Sequence, residues 1–313
     1  MLARILVSGS SGLIGSALLP VLKTSGYEVV CLGRGQSGSG RIGWDPARRL
    51  APESVSGFDA VIHLAGESIA SRWTESKKNA IRDSRVLGTR HLAEALARAA
   101  SPPRVLISAS AIGFYGDRAD EVLREDSASG GSGFLPGVCR EWEAAADPAV
   151  EAGIRTAFLR TGIVLSAEGG ALKQMLPPFR MGLGGKIGSG RQWMSWIDLH
   201  DEIGAIRHIL MNESLRGPVN GVSPHPVRNA EFTNTLASVL SRPAIFPMPA
   251  FAAHLVFGQM GDELLLGSQR VAPAKLSATG YVFQKPDLRK ALESILKKLR
   301  PGRRFRQIKR MFL

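Results

Sequence analysis

The stretch Ile5-Leu6-Val7-Ser8-Gly9-Ser10-Ser11-Gly12-Leu13-Ile14-Gly15-Ser16-Ala17-Leu18 decides the fold of this chain. An apolar run ends at Gly9, and an apolar pattern with helical spacing begins near Gly12. This order predicts a strand, a tight turn and a helix N-terminus, the arrangement that binds a dinucleotide pyrophosphate on free backbone N–H groups. The three glycines would permit the turn, the approach of the phosphates and close packing of the helix.

The residues predicted to hold the pyrophosphate belong to this turn and to the first turn of the helix: Gly9, Ser11, Gly12, Leu13, Ile14 and Gly15. Their spacing, GxxGxxG, is one residue longer in its first gap than the commoner GxGxxG. A glycine-rich turn can also be purely structural. Its position after the first strand of an α/β pattern favours the binding interpretation.

A second strand is predicted over residues 28–32 and ends at Gly33-Arg34. In this kind of fold the tip of the second strand meets the adenosine ribose, where an acidic residue would bind the 2′-hydroxyl of NAD. Arg34 suits a 2′-phosphate instead, by its charge and its fork-shaped donors. The sequence therefore predicts NADP(H) as cofactor. The alternative is that Arg34 is a solvated cation of the loop.

Composition places the chain among globular proteins with a sizeable core. It has 313 residues, of which 44% are hydrophobic and 21% charged, enough for two ordinary domains or one large one. No apolar run approaches the length of a membrane span, and the N-terminus enters the first strand almost at once. The two cysteines, Cys31 and Cys139, indicate neither a disulfide framework nor a metal site. We expect a cytoplasmic protein with no membrane partner.

The positive charge is concentrated at the C-terminus. The formal net charge is +13, but residues 297–310 hold eight cations and no acid, which leaves about +5 for the rest. A basic segment after the last helix is typical of a disordered, solubilising tail, here residues 300–313. Weak binding to RNA or to an anionic membrane surface is the alternative. We predict no specific nucleic-acid partner.

Strand-like and helix-like segments alternate through the first half of the chain, which predicts a doubly wound parallel α/β sheet of the Rossmann type. Further strands are expected at 41–44, 59–66, 104–108 and within 154–165, and long helices at 77–100 and 136–151. Beyond residue 166, a glycine-rich stretch at 182–190 is followed by helices at 201–211 and 230–240, a strand near Val219, and a final amphipathic helix that begins at Pro286.

This pattern predicts three parts. Residues 1–165 would form the dinucleotide-binding domain, to which residues 195–222 would add. Residues 166–299 would form a smaller, α-rich substrate lobe over the mouth of the sheet, and residues 300–313 the basic tail.

Dispersed motifs carry a resemblance to a known superfamily: Ser-Gly-Ser-Ser-Gly-Leu-Ile-Gly at 8–15, His-Leu-Ala-Gly at 63–66, Ser-Ala-Ser-Ala-Ile-Gly-Phe-Tyr-Gly at 108–116 and Trp-Ile-Asp at 196–198. They resemble the extended, epimerase-like branch of the short-chain dehydrogenase/reductase superfamily. Arg72-Trp73, Trp142-Glu143 and Arg160-Thr161-Gly162 are similar to the atypical "epimerase family" proteins, which carry a C-terminal domain of undefined role. Some of those relatives are named nucleotide-sugar epimerase or cell-division inhibitor.

The resemblance implies further cofactor contacts. These would be Asp45 near the adenine, Leu64, Ala65 and Gly66 along the cofactor, Ser108 and Ala109 near the nicotinamide, and Thr161, Gly162 and Leu165 beyond it. Arg85 stands where extended members usually have an asparagine, and would reach the pyrophosphate or a substrate phosphate. The alternative is a surface arginine on a helix.

The chain departs from the family in its expected catalytic residues. Active members use a Tyr-x-x-x-Lys pair as general acid/base together with an upstream serine. At that place this chain reads Val138-Cys139-Arg140-Glu141-Trp142. Ser110 matches the serine, and Tyr115, in the loop that would rim the substrate pocket, is the candidate acid. The alternative for Tyr115 is simple packing of the loop.

Two functions remain open on the sequence. The first is an NADP(H)-dependent, epimerase-like oxidoreductase that acts on a nucleotide sugar or a similar polar substrate, with Lys186 and Arg191 as candidate phosphate contacts unless they are ordinary surface cations. The second is a non-catalytic NADP(H)-binding regulatory or redox-sensing protein, which the missing Tyr-Lys pair suggests. A homo-oligomer is compatible with both.

Overall fold

The opening strand lies inside a parallel sheet of seven strands in the computed structural model, which describes residues 3–297. The strands of the chain are β1 (Arg4–Ser8), β2 (Glu28–Gly33), β3 (Arg41–Gly43), β4 (Ala60–His63), β5 (Val105–Ala111), β6 (Val122–Leu123), β7 (Arg155–Thr161), β8 (Ile163–Leu165), β9 (Trp193–Met194), β10 (Trp196–Asp198), β11 (Gly217–Gly221), β12 (Val227–Arg228) and β13 (Arg270–Val271).

The helices are α1 (Leu13–Thr24), α2 (Glu75–Arg98), α3 (Phe134–Ala144), α4 (Asp147–Glu151), α5 (Gly170–Arg180), α6 (Leu199–Met211), α7 (Asn229–Leu240), α8 (Ala250–Phe257), α9 (Ala274–Ala278) and α10 (Leu288–Lys297). Short 3₁₀ turns occur at Pro52–Val55 and Ile112–Tyr115, and a π-helical turn at Gly261–Leu266.

The strand order of the large sheet is β11-β7-β5-β4-β1-β2-β3. The order reverses direction between β1 and β4, which is the switch point where ligands of such folds bind at the carboxyl ends of the strands. The register pairs Ser8 with His63 and His63 with Ser108, so these three strand ends lie side by side.

Helices cover both faces of the sheet, as the alternating pattern predicted. On one face, Leu18 of α1 and Ile206 of α6 pack in a cluster with Ile5 and Val7 of β1. On the other, the cluster holds Leu92 and Leu96 of α2 together with Ala149 of α4 and Leu6 of β1. Because both faces are buried, the central strands are apolar throughout rather than alternating.

A third hydrophobic cluster lies outside the large sheet. It joins Leu172 of α5, Phe232 of α7 and Leu292 of α10 with Trp196 of β10, and we call the segments packed around this cluster the second lobe. Three two-stranded ladders accompany it, β8 with β10, β9 with β12 and β6 with β13. The domain boundaries expected from the sequence remain a prediction. The expected tail, residues 300–313, lies outside the described residues.

The helix predicted over residues 136–151 is wrong in its extent. The chain forms two helices there, because Pro148 lacks an N–H group and its ring would clash with the carbonyl of Ala144, the last residue of α3. The long helix before it begins at Glu75, where the Thr74 hydroxyl accepts from the Lys77 amide. Within residues 3–297, no helix has the length and apolarity to cross a membrane.

Candidate functional site

Gly9 ends β1 in a conformation and a space that only glycine fits. Its φ is +68°, and a Cβ there would stand 2.5 Å from the carbonyl carbon of Leu64. The carboxyl ends of β1 and β4 therefore touch through bare backbone. This contact brings the glycine turn against Leu64-Ala65-Gly66, the segment that the resemblance places along the cofactor.

Gly15 allows α1 to begin directly above this turn, since a Cβ at residue 15 would lie 2.2 Å from the Gly9 carbonyl oxygen. The Gly12 amide donates to Gly9, and the first bond of the helix runs from Ser16 to Gly12. The amides of Leu13 and Ile14 precede that bond and have no acceptor within the helix. No side chain caps the helix at Gly12. The N-terminus of α1 is thus open to an anion.

The start of α5 lies against this helix start. A Cβ on Gly169 would be 3.1 Å from the Leu13 Cδ1, and one on Gly170 would be 3.3 Å from Cδ2. Two consecutive glycines are needed here because the second lobe crosses close to the first residue of α1.

Two guanidinium groups stand at the tip of β2. Arg34 follows Gly33 and is exposed, and its carbonyl accepts from Nη2 of Arg41 at 2.6 Å. Neither arginine forms an ion pair with a carboxylate among the described residues. Asp45, after β3, is exposed and accepts from the Ala47 amide in a local turn. The tip of β2 is therefore a cationic corner next to the glycine turn.

Arg85 of α2 lies beside the segment that follows β4. Its Nη1 donates to the carbonyls of Glu67 and Ile81, both at 3.0 Å, and a Cβ on Gly66 would lie 3.2 Å from its Cζ. The guanidinium also stacks on Trp142, 5.1 Å from the ring. Burial lowers the pKa of Arg85. This contact set argues against the surface-arginine alternative.

The end of β5 carries a buried polar network. Ser110 Oγ donates to Oε1 of Glu143 at 2.6 Å, and Glu143 forms a bidentate pair with Arg160, with both N–O distances 2.8 Å. Ser108, two residues earlier, is fully buried, and its hydroxyl reaches only the neighbouring Ala109 carbonyl, at 3.4 Å. The polar atoms of Ser110, Glu143 and Arg160 are thus held in place by partners at this strand end, whereas the Ser108 hydroxyl is not.

Tyr115 does not lie on a pocket rim, and this part of the sequence prediction is wrong. The 3₁₀ turn at Ile112–Tyr115 folds the loop back, and Tyr115 has no exposed surface. Its hydroxyl donates to Asn220 at 2.7 Å and accepts from Arg160 at 3.0 Å. Burial raises the pKa of the phenol. The packing alternative describes this residue correctly.

Two residues four apart on α3 face the end of β5, Cys139 and Glu143. The Cys139 thiol is buried near Gly113, and burial raises its pKa to about 12. Such a thiol is neither an acid nor a nucleophile at neutral pH. Glu143 and Arg160 enter the sequence analysis only as parts of motifs of the resemblance. The signal that could have linked them is their opposite charge.

The segment after β7 contacts α6 and the residue that precedes β10. The Thr161 hydroxyl donates to Oε1 of Glu202 at 2.7 Å, and a Cβ on Gly162 would lie 2.6 Å from the Ser195 carbonyl oxygen. The side chain of Leu165 is fully buried in the cluster of the second lobe, so only its backbone remains for the cofactor contact that the resemblance implies.

Glu202 is a buried carboxyl that no sequence motif singles out. It has no exposed surface, and its Oε2 has no hydrogen-bond partner among the described residues. Burial raises its pKa to about 7, against the opposing effect of the bond from Thr161.

The glycine-rich stretch near residue 185 is packed between other segments. A Cβ on Gly184 would lie 2.7 Å from the Phe179 ring, and the Ile187 amide donates to Asn229 at 2.8 Å. Lys186 and Arg191 are both exposed. The structure does not bring their side chains into contact with the residues at the strand ends.

Comparisons with known proteins agree with this geometry. The model of the "NAD dependent epimerase/dehydratase family" matches residues 5–220, and that of a "Domain of unknown function (DUF1731)" matches residues 248–295. An epimerase family protein of Mycobacterium bovis is 41% identical over 293 residues, which cover 93% of this chain and 96% of that protein. The human epimerase family protein SDR39U1 is 38% identical over 94% of this chain and 99% of its own length.

Solved structures of related proteins share this fold. The crystal structure of human SDR39U1 with NADPH has a TM-score of 0.85 and 37% identity, and covers 94% of this chain and 99% of that one. A nucleoside-diphosphate sugar epimerase from Corynebacterium glutamicum has a TM-score of 0.78 at 38% identity, over 99% of this chain and 61% of that one.

Proposed function

This chain belongs to the NAD dependent epimerase/dehydratase family, and we propose that it is an NADP(H)-dependent, epimerase-like oxidoreductase acting on a nucleotide-linked sugar or a similarly polar substrate. The observation that carries the proposal is the hydrogen bond from Ser110 to Glu143 at the end of β5. It would polarise the hydroxyl that matches the upstream serine of active family members.

The preference for NADP(H) rests on the cationic corner at β2. Arg34 and Arg41 offer two planar guanidinium groups, the geometry that suits a 2′-phosphate. Human SDR39U1, which covers almost the whole chain, was crystallised with NADPH. The pyrophosphate would lie at the open N-terminus of α1, within reach of Arg85, whose remaining N–H groups have no partner among the described residues.

Bound NADP(H) would supply or accept the hydride. Ser110 would accept a hydrogen bond from a substrate hydroxyl because its own proton is committed to Glu143. As the substrate oxygen loses its proton to Ser110, the proton of Ser110 would pass to Glu143. The bidentate pair with Arg160 holds the carboxylate in one orientation for this transfer.

The second candidate function is that of a non-catalytic NADP(H)-binding regulatory protein. Two observations favour it: Cys139, in the segment that stands in place of Tyr-x-x-x-Lys, is a buried, protonated thiol, and Tyr115 is enclosed in the core. On this alternative the Ser110–Glu143–Arg160 network is purely structural.

The test measures binding and turnover separately. Calorimetry with NADPH reports the cofactor site. Incubation with NADP⁺ and a panel of nucleoside-diphosphate sugars, followed by nicotinamide absorbance and chromatography of epimers, reports turnover. We expect Ser110→Ala to bind NADPH normally and to lose turnover by about a hundredfold, a typical effect for a group that handles the proton. Tyr115→Phe should keep turnover within about twofold, since its hydroxyl faces the core.

Unaltered turnover in Ser110→Ala would exclude the proposed proton path. Tight NADPH binding without turnover on any sugar nucleotide or carbonyl compound would support the regulatory alternative. Absence of NADPH binding would overturn both.

A further inference from the structure

Most of the large exposed apolar side chains of this chain lie together on the second lobe. Seven of the twelve found within residues 3–297 belong to segments 181–183 and 245–256. We call them the apolar patch: Met181, Leu183, Ile245, Phe246, Phe251, Leu255 and Val256. Single exposed apolar residues are ordinary on protein surfaces, whereas a concentration of this kind marks an interaction site.

Backbone hydrogen bonds join the two segments that carry the patch. The Phe246 amide donates to Gly184 at 3.2 Å and the Met248 amide to Lys186 at 2.9 Å, so the two segments run side by side. Helix α8 begins two residues after Met248. Phe251 and Leu255, one turn apart on its outer face, are 75% and 71% exposed.

Cations surround the patch. Nη1 of Arg72 donates to the Leu255 carbonyl, and Nε of Arg242 to the carbonyl of Arg180, the residue before Met181. Lys186 is exposed in the segment that runs beside Phe246. None of these four cations pairs with a carboxylate within the described part of the chain, where the acidic neighbour Asp262 pairs with His254.

The cations around the patch favour an anionic lipid surface over a second copy of this chain as its partner. Two copies joined through the patch by a two-fold axis would bring the same four cations against each other. An anionic lipid surface instead accepts the apolar side chains into its interface and neutralises the surrounding cations.

The end of the chain adds a second signal. Leu296, next to the last described residue, packs in the same cluster as Ala244, the neighbour of Ile245. The cationic sequence at 297–310 therefore starts from the lobe that carries the patch. Stable attachment to a membrane surface generally needs two such signals.

We propose that the apolar patch docks this protein on an anionic lipid bilayer, with Phe251 and Leu255 inserted at the level of the headgroups. This differs from the expectation of no membrane partner in the sequence analysis, and it does not depend on the proposed function. The contact is peripheral and needs no spanning helix.

The test is co-sedimentation of the full chain with vesicles of phosphatidylcholine alone or mixed with phosphatidylglycerol. We expect binding only to the mixed vesicles, and weaker binding in high salt. Phe251→Asp and Leu255→Asp should each lower the partition coefficient by at least about tenfold, since each replaces an inserted apolar group with a charge that anionic lipids repel. The matched control is Val282→Asp, at an apolar residue that is 72% exposed outside the patch.

Circular dichroism melting checks that each variant is folded, and Phe251→Ser replaces any aspartate variant that is not. Wild-type binding by both patch variants would overturn the proposal, because the basic tail alone would then account for the attachment. Equal binding to neutral vesicles would also overturn it. So would a concentration-dependent dimer, without lipid, that Phe251→Asp abolishes.

Discussion

The Thr161 hydroxyl and the Glu202 carboxyl are hydrogen bonded at 2.7 Å where β7 leaves the large sheet, and the second oxygen of Glu202 has no partner among the described residues. A buried carboxyl with one bond and no cation is stable mainly in its neutral form. The stability of the fold should therefore depend on pH through this residue.

The first prediction concerns that dependence. The folded-state pKa of Glu202 is about 7, against an ordinary value of 4.5. The folded state holds the proton of Glu202 more tightly than the unfolded state does. The contribution of Glu202 to the free energy of unfolding is therefore fully present below pH 4.5 and is lost as pH rises to about 7. Its size is on the order of 3 kcal/mol. Glu202→Gln should flatten the fall of the melting temperature across this window.

Glu151→Gln is the matched control, because Glu151 is exposed at the end of α4. Its pH profile should follow that of the wild type. An unchanged slope in Glu202→Gln would show that another group carries the dependence.

The second prediction concerns the glycine turn. Gly9→Ala should abolish the thermal stabilisation by NADPH, because its Cβ would displace the backbone at Leu64 and the residue has φ of +68°. Gly153→Ala is the control: its φ is +80°, yet no atom lies within 4 Å of the added Cβ. It should cost only about 1–2 kcal/mol of stability and keep NADPH binding, as seen by calorimetry. Comparable loss of binding in both variants would contradict the role of the turn.

The third prediction concerns the 2′-phosphate. Arg34→Ala should weaken NADPH binding by about tenfold or more, the value of a charge-assisted hydrogen bond, and leave NADH binding within about twofold. Arg98→Ala, at an exposed arginine that pairs only with Glu94 on its own helix, is the control for net charge. Equal weakening for both cofactors would place Arg34 elsewhere than at the phosphate.

The fourth prediction concerns Tyr115. Tyr115→Phe should lower the free energy of unfolding by about 1–3 kcal/mol, because Asn220 and Arg160 lose a buried partner. Its NADPH affinity should stay unchanged. Urea unfolding and calorimetry measure the two effects. Tyr27→Phe, which removes a bond to an exposed Met211 sulfur, should be nearly neutral. Weaker NADPH binding by Tyr115→Phe would contradict this prediction and would indicate that the phenol contacts the cofactor site.

Much of the fold could be predicted because its signals are local. The glycines at 9, 12 and 15 and the apolar strand at 60–63 predict a parallel sheet with one phosphate-binding turn. The break before Pro148 was missed, although the ring constraint of proline is itself local. The alanines around it are strong helix formers and concealed the boundary.

The candidate site was predicted less well, because its decisive contacts join residues far apart in the chain. Glu143 and Arg160 are 17 residues apart, and Tyr115 and Asn220 are 105 apart. Burial of Tyr115 follows from a 3₁₀ turn that no short motif specifies. Glu202 gave no signal, since an acidic residue in the first turn of a helix is ordinary at an exposed position.

The ion pair between Glu143 and Arg160 has a consequence for the history of such proteins. Removing either partner would leave an uncompensated charge in the interior, at a cost of about 3–5 kcal/mol, comparable to the whole margin of many domains. A descendant that abandoned its chemistry could therefore not lose one of these two residues alone without destabilising the fold. The presence of both residues in a relative therefore does not indicate that it catalyses turnover. The Ser110 hydroxyl, which the fold does not require, is the more informative group to compare.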